Sequence, residues 1–294
     1  MSVIVLEGGL GNRMRVAASA LALCNAKQQP LQVLWTEQWG MRCRFDNLFC
    51  PVKTDNVVAD GFSLRDATTA ENIFYARPTA SNLYLPALTR RLRHKHIILS
   101  PRIWHLNQVG FDFAAFLAQG NSLITAYRDF FPWQRKHLTA LFRPNERVDS
   151  LIRARTAPFT SHTIGVHVRR TDLQQSIDES PLDLFIEAID RELELDCNLT
   201  IYLATDDEAT KQELFKRYGQ RLFTAPDEAT RDSTEGIRNA VVEMFALSYT
   251  HHIYGSSGST FSTIAACLGN VPIDIIQRNG RGNIDLLCQD MAKP

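Results

Sequence analysis

The sequence predicts an α/β protein built from two halves, each a parallel sheet wound on both faces by helices. Short apolar runs alternate with stretches of helical periodicity along most of the chain. Four of the runs end in turns rich in Gly, Ser, Asp or Arg. The length, 294 residues, suits two domains of roughly 100–200 residues each, set at residues 1–150 and 151–294.

The first half opens with a strand over residues 3–6, a glycine-rich turn over 7–12 and a helix over 13–27. The helix carries Ala, Leu, Met and Val on nearly every side, so it reads as largely buried. Gln28-Gln29-Pro30 stops it, and residues 31–35 form the next strand, completing one βαβ unit. Residues 44–49 read as a short helix or turn, and 97–99 and 122–125 as strands. The basic stretch 89–96 reads as a solvated helix face, with a grip on an acidic acceptor as the alternative. Pro132, Pro144 and Pro158 punctuate the passage between the halves.

The second half reads as strands over 163–168, 199–204, 221–224, 252–254 and 272–276. Helices fall between them over 207–217, 235–249 and 260–268, and Ser180-Pro181 reads as the cap and first position of a helix reaching 195.

Composition removes several function classes. Lys+Arg and Asp+Glu number 32 each, so the net charge is zero, which argues against a dedicated nucleic-acid binder. No apolar run approaches the ~18 residues of a membrane span. The N-terminus lacks the basic region of a signal peptide, so a cytoplasmic chain is expected. The six cysteines form no CxxC pair and no His lies at zinc-finger spacing, so free thiols and no structural metal are expected. The sequon Asn198-Leu199-Thr200 runs into an apolar strand and does not read as a glycosylation site.

Ligands of doubly wound sheets bind outside the carboxyl ends of the strands, so the turns there carry the candidate chemistry. In Gly8-Gly9-Leu10-Gly11-Asn12-Arg13-Met14, glycines let backbone N–H groups approach an anion. Met14 stands where a dinucleotide fingerprint needs its last glycine, and no Gly-Lys-Ser/Thr follows as in a P-loop. In His167-Val168-Arg169-Arg170-Thr171-Asp172, His167 and Arg169 share one strand face, and the planar arginine fork suits diphosphate oxygens. In Thr205-Asp206-Asp207-Glu208, Asp207 suits a helix cap, leaving Asp206 to accept from a base or ribose. In Gly255-Ser256-Ser257-Gly258-Ser259-Thr260, hydroxyls and N–H groups at a helix start suit phosphate, and an ordinary cap by Ser259 is the plainer alternative.

At His167-Val168-Arg169-Arg170-Thr171-Asp172, Ala204-Thr205-Asp206-Asp207 and Gly255-Ser256-Ser257-Gly258-Ser259-Thr260 the chain resembles the fucosyltransferase superfamily of α1,2-, α1,6- and protein O-fucosyltransferases. The Gly8–Met14 turn and the helix holding Glu243, Phe245, Leu247 and Ser248 extend the likeness, which is dense over residues 160–270 and thin over 35–150. The resemblance implies a GT-B fold of two Rossmann-like domains facing a cleft, the first on the acceptor side and the second binding the nucleotide sugar. It implies GDP-fucose as donor, inversion at the anomeric carbon, no metal or other cofactor, and a glycan or polypeptide acceptor. Arg169 would be the catalytic contact to the β-phosphate. His167 and Asp206 would lie near guanine and ribose, and Ser259 and Thr260 on phosphate. Gly9, Gly11, Asn12, Arg170, Asp172, Thr205 and Ser257 complete the expected donor set, with Glu7 as a candidate base. Thr171 stands where α1,2 members carry Gly, which leaves the subfamily open. The acceptor surface is expected within residues 35–130 and 173–180. A transferase for another nucleotide sugar and a non-catalytic binding protein remain the alternatives.

Overall fold

In the computed structural model the chain forms two compact units. The structure describes residues 1–38, 41–171, 173–225, 233–278, 280 and 286–290. The first unit is Met1–Asn145 with two returning segments, Arg231–Thr234 and Leu286–Asp290. The second is Glu146–Thr230, Glu235–Asp285 and Met291–Pro294.

The sheet of the first unit contains β1 (Ser2–Leu6), β2 (Leu31–Trp35), β3 (Phe62–Asp66), β4 (His96–Ile98) and β5 (Ser122–Ala126). Their order is β3-β2-β1-β5-β4, and every pair is parallel. The central strand β1 is buried along its whole length, as a strand covered on both faces must be. Helix Leu10–Lys27 follows it and is buried from Leu10 to Cys24 apart from Asn12. Gln28, in the left-handed region at φ +52°, ends that helix with its N–H on the Cys24 carbonyl. Trp35, Phe45, Phe49 and Phe142 build an aromatic cluster with ring centroids 5.2–6.5 Å apart.

The first unit departs from the sequence reading in three places. Strand β3 is absent from that reading because only Phe62 and Leu64 of its five residues are buried. The six-residue helices Thr69–Phe74, Ile103–Gln108 and Phe113–Ala118 are too short to show a period. The basic stretch is not a uniformly solvated face. Arg90, in helix Leu85–Arg93, turns inward and donates through Nη2 to the carbonyls of Tyr75 (2.6 Å) and Ala76 (2.8 Å).

The second unit contains β6 (Thr163–Val168), β7 (Thr200–Thr205), β8 (Leu222–Thr224), β9 (Ile253–Ser256) and β10 (Ile273–Ile276). Their order is β10-β9-β6-β7-β8, again wholly parallel. On one face Ile164, Val166, Val168, Ile201 and Leu203 pack against Phe185, Ile189 and Leu214. On the other, helices press closely on the central strands. A Cβ on Gly165 would lie 2.8 Å from Thr250 Oγ1 and 2.9 Å from Leu247 Cδ2, and one on Gly255 would collide with Ser262. Ser180 does not cap helix Leu182–Leu195. Its hydroxyl donates to the Ile276 carbonyl at 2.5 Å and accepts from the Ser257 N–H at 2.8 Å. No helix among the described residues is long and apolar enough to cross a membrane.

Candidate functional site

The second sheet reverses its winding at β6. From β6 the chain moves outward through β7 and β8, then returns to place β9 and β10 on the other side. The connections that leave β6 and β9 therefore run to opposite sides of the sheet, and such a switch point is where open α/β sheets bind ligands. Arg169 and Arg170 follow β6, Thr205 and Asp206 end β7, and Ser257–Ser259 follow β9.

Asp206 organises the β6 end. Its carboxylate meets Arg169 Nε at 3.2 Å and accepts from the Arg170 N–H at 2.8 Å and the Thr171 hydroxyl at 2.6 Å. Burial by itself would raise its pKa. Arg169, Thr171 and the Arg170 N–H outweigh that and hold it below the usual carboxylate value. Only 15% of the Arg169 side chain and 13% of the Asp206 side chain are exposed, so the pair is held in a fixed geometry. Ser256, which is outside the sequence-predicted set, links the strands. Its hydroxyl accepts from the Arg169 N–H (2.9 Å) and donates to the His167 carbonyl (3.1 Å). The Arg170 guanidinium reaches the Ile177 carbonyl at 3.4 Å. Asp172 lies outside the described residues.

The His167 ring stacks on Phe261, with centroids 4.9 Å apart and planes at 26°. It is buried, and its Nδ1 has no hydrogen-bond partner. Burial, and then the Arg169 charge, press its pKa far below the usual value, so the imidazole is neutral at working pH. A neutral ring with one orphan nitrogen can donate or accept but carries no charge.

The serine turn divides its labour. The Ser257 hydroxyl is committed to Glu179 at 2.5 Å, and its carbonyl accepts from Ser176 at 2.5 Å, so it fastens the turn to helix Gln174–Glu179. Gly258 takes φ +70°, where a side chain would be strained and would crowd Gln175. Ser259 caps helix Thr260–Gly269, accepting from the Phe261 N–H, and Thr260 opens the helix. Its N–H groups give that end the partial positive charge suited to an anion. Thr205 is buried and accepts from the Asp207 N–H at 3.3 Å. Asp207 caps helix Glu208–Tyr218, as its place in the sequence predicts, accepting from the Thr210 N–H at 2.8 Å.

Glu243 belongs to the same neighbourhood and was not assigned a role from the sequence. It is buried on helix Thr234–Leu247, and burial pushes its pKa up from 4.5 to about 7, against the pull of Arg155 and Lys211, while Asp206 adds to the rise. The signal available was a carboxylate inside the apolar run Val241-Val242-Glu243-Met244. A raised carboxyl favours the folded state while it is protonated. Its contribution is complete below pH 4.5 and is lost as pH rises through about 7. Relative to wild type, Glu243→Gln should gain stability as pH climbs through that window, up to about 3 kcal/mol above it. Parallel melting curves of the two proteins across pH 4 to 8 would read this gain.

In the first unit, Gly8 rather than Gly9 is the residue that must be glycine. It adopts φ +78°, and a Cβ there would lie 3.0 Å from Asn12 Nδ2 and 3.2 Å from Tyr127 Cβ. Gly9 is the N-cap of helix Leu10–Lys27, so Gly11 and Asn12 already sit in its first turn. Arg13 fixes the loop from below. It is fully buried, 5.2 Å from the Trp35 ring centre, and donates to the carbonyls of Gly8 (2.8 Å), Thr36 (2.7 Å) and Gln38 (2.8 Å). An ammonium cannot reproduce that fork. Arg13→Lys should cost about 1–3 kcal/mol for each carbonyl it leaves unmet, read as a lowered denaturant midpoint. Glu7 follows β1, and its carboxylate accepts from the buried Ser100 hydroxyl, which also contacts Thr125 Oγ1 at 3.0 Å. No cluster of metal-ligating side chains occurs among the described residues.

No family model matches the sequence, and no curated protein matches it. Solved structures do. A NodZ alpha-1,6-fucosyltransferase crystal soaked with GDP-fucose superposes with a TM-score of 0.63 at 17% identity, covering 97% of this chain and 99% of that one. The fucosyltransferase NodZ from Bradyrhizobium gives 0.63 at 19% identity, over 97% and 98% of the two chains. Arabidopsis thaliana FUT1 in complex with GDP gives 0.60 at 18%, over 95% of this chain and 73% of that one. With its two parallel five-stranded sheets and flanking helices, the chain shares the α/β fold of these solved fucosyltransferase structures.

Proposed function

We propose that the protein is a fucosyltransferase that moves fucose from GDP-fucose to a hydroxyl of a glycan or polypeptide, with inversion and without a metal ion. The observation that carries this reading is the Arg169 guanidinium, oriented by Asp206 at the β6 terminus, where the sheet reverses its winding. Two of the similar solved structures were obtained with GDP-fucose and with GDP, which supports the same donor here.

In the proposed reaction the acceptor oxygen forms a bond to the anomeric carbon as the bond from that carbon to the β-phosphate oxygen breaks in line. The transition state is oxocarbenium-like. Negative charge grows on the departing GDP, where Arg169 and the N-terminus of helix Thr260–Gly269 stabilise it. His167, neutral and stacked on Phe261, is proposed to lie near the nucleoside. Asp206, Arg170, Asp172, Thr205, Ser259 and Thr260 form the remainder of the proposed donor site in the second unit, with Ser257 holding the turn. The first unit is proposed as the acceptor side, with Asn12 and its neighbouring glycines toward the diphosphate and Glu7 taking the acceptor proton.

A thermal-shift panel of GDP, UDP, CDP, ADP and NAD with EDTA present tests the donor. A ligand at 100 times its Kd adds about 2.7 kcal/mol. At about 2–4 °C per kcal/mol, GDP alone should then raise Tm by several degrees. A shift with a different nucleotide would reassign the donor, and a GDP shift without turnover would make this a binding protein. Loss of the GDP shift in EDTA would end metal independence. Product anomer stereochemistry by NMR checks inversion.

A further inference from the structure

Residues 72–111 contain six Lys or Arg and no Asp or Glu, in a chain whose charges balance at 32 each. The same stretch concentrates exposed apolar surface. Of the fifteen large hydrophobic side chains exposed among the described residues, ten fall between Ile73 and Phe111. Helix Leu85–Arg93 is amphipathic in an inverted sense. Its apolar stripe of Leu85, Leu88 and Leu92 is 54%, 54% and 78% exposed, while Arg90 and Pro86 are buried on the opposite side. At helical spacing, Arg91 and Arg93 flank that stripe on its two sides. Just before it, Leu83 and Tyr84 both adopt left-handed backbone (φ +52° and +53°) with their side chains 77% and 59% exposed. Two consecutive bulky residues in that region are strained, and such strain collects where a segment is held for a purpose.

We propose that residues 83–95 form a docking surface for an anionic lipid bilayer, with the leucines entering the acyl boundary and the arginines meeting the headgroups. Outward leucines with basic flanks are the arrangement of an interfacial helix. The forty-residue absence of carboxylates favours a uniformly negative surface over a mixed-charge protein face. The inference uses no residue of the proposed donor site, although residues 83–95 lie within the stretch expected to carry the acceptor surface.

Co-sedimentation of the full chain with vesicles tests it. The protein should pellet with equal parts phosphatidylcholine and phosphatidylglycerol, stay in solution with phosphatidylcholine alone, and be released by high salt. Arg91→Gln with Lys95→Gln should weaken binding by about five-fold for each charge removed. Leu88→Asn with Leu92→Asn should weaken it at least about ten-fold per leucine. These positions are exposed, and an unchanged Tm would confirm that the variants fold. Equal binding to both vesicle types, or full binding by the leucine variant, would overturn the proposal. So would a concentration-dependent dimer that the leucine pair disperses while vesicles stay unbound, since the face would then belong to a second copy of the chain.

Discussion

Arg169→Ala should lower turnover of GDP-fucose on the order of 100-fold or more, the loss typical when one donor to a developing oxyanion is removed. The fall should appear in kcat and in kcat/KM together, because the contact is strongest in the transition state. Arg169→Lys should recover little. The native fork meets Asp206 through Nε and is aimed by that contact, whereas a lysine ammonium has neither the plane nor the reach. Asp206→Asn should act one step removed. Its single amide oxygen can accept from the Arg170 N–H or the Thr171 hydroxyl, which use different oxygens of the carboxylate, and the charge that orients Arg169 is lost, so activity falls. Near-wild-type turnover by Arg169→Ala would remove the arginine from the chemistry.

The largest loss of stability is expected from Asp129→Ala, in the first unit. Asp129 and Arg15 are buried together, with only 5% and 4% of their side chains exposed and 3.7 Å between Oδ1 and Nη1. The other carboxylate oxygen accepts from the Trp133 indole N–H at 2.8 Å and the Leu287 N–H at 2.7 Å. Removing the carboxylate strands a buried cation and two N–H donors. Breaking such a pair from one side costs about 3–5 kcal/mol. At about 2–4 °C per kcal/mol, Tm should drop by about 6–20 °C. Asp129→Asn should fall between, since one amide oxygen can still accept but the charge is gone. An Asp129→Ala protein melting within about 2 °C of wild type would mean that water or a rearranged Arg15 replaces the carboxylate.

What could be read from the sequence was what local chemistry dictates. Strands β1, β6, β7 and β9 announce themselves because central parallel strands are apolar on both faces. The Asp207 cap was legible because its partner, Thr210, is three residues away. Ser180 looked like a cap for the same local reason, yet its partners are Ser257 and Ile276, 77 and 96 residues distant. The apolar run around Glu243 hints at its burial, but the groups that act on its charge, Arg155, Lys211 and Asp206, are distant in the chain. Arg90 was taken for a surface charge because its acceptors are carbonyls of another helix's end. The serine turn could be located, but the division between Ser257, which holds the turn, and Ser259, which caps the next helix, depends on Glu179 in a helix too short to predict.

The return of Leu286–Asp290 to the first unit has a consequence for biosynthesis. The Trp133 N–H donates to the Leu287 carbonyl at 3.1 Å, the Gln289 N–H donates to the Trp133 carbonyl at 2.8 Å, and Asp129 takes the Leu287 N–H. A ribosome releases β1 through β5 long before it reaches residue 287. Until then Asp129 keeps Arg15 and the Trp133 indole but lacks the Leu287 N–H. A premature stop or a proteolytic nick ahead of Leu286 leaves it in that state permanently, even with every strand of both sheets already made. Residues 286–290 thus complete the first unit only after the strands of the second have been made.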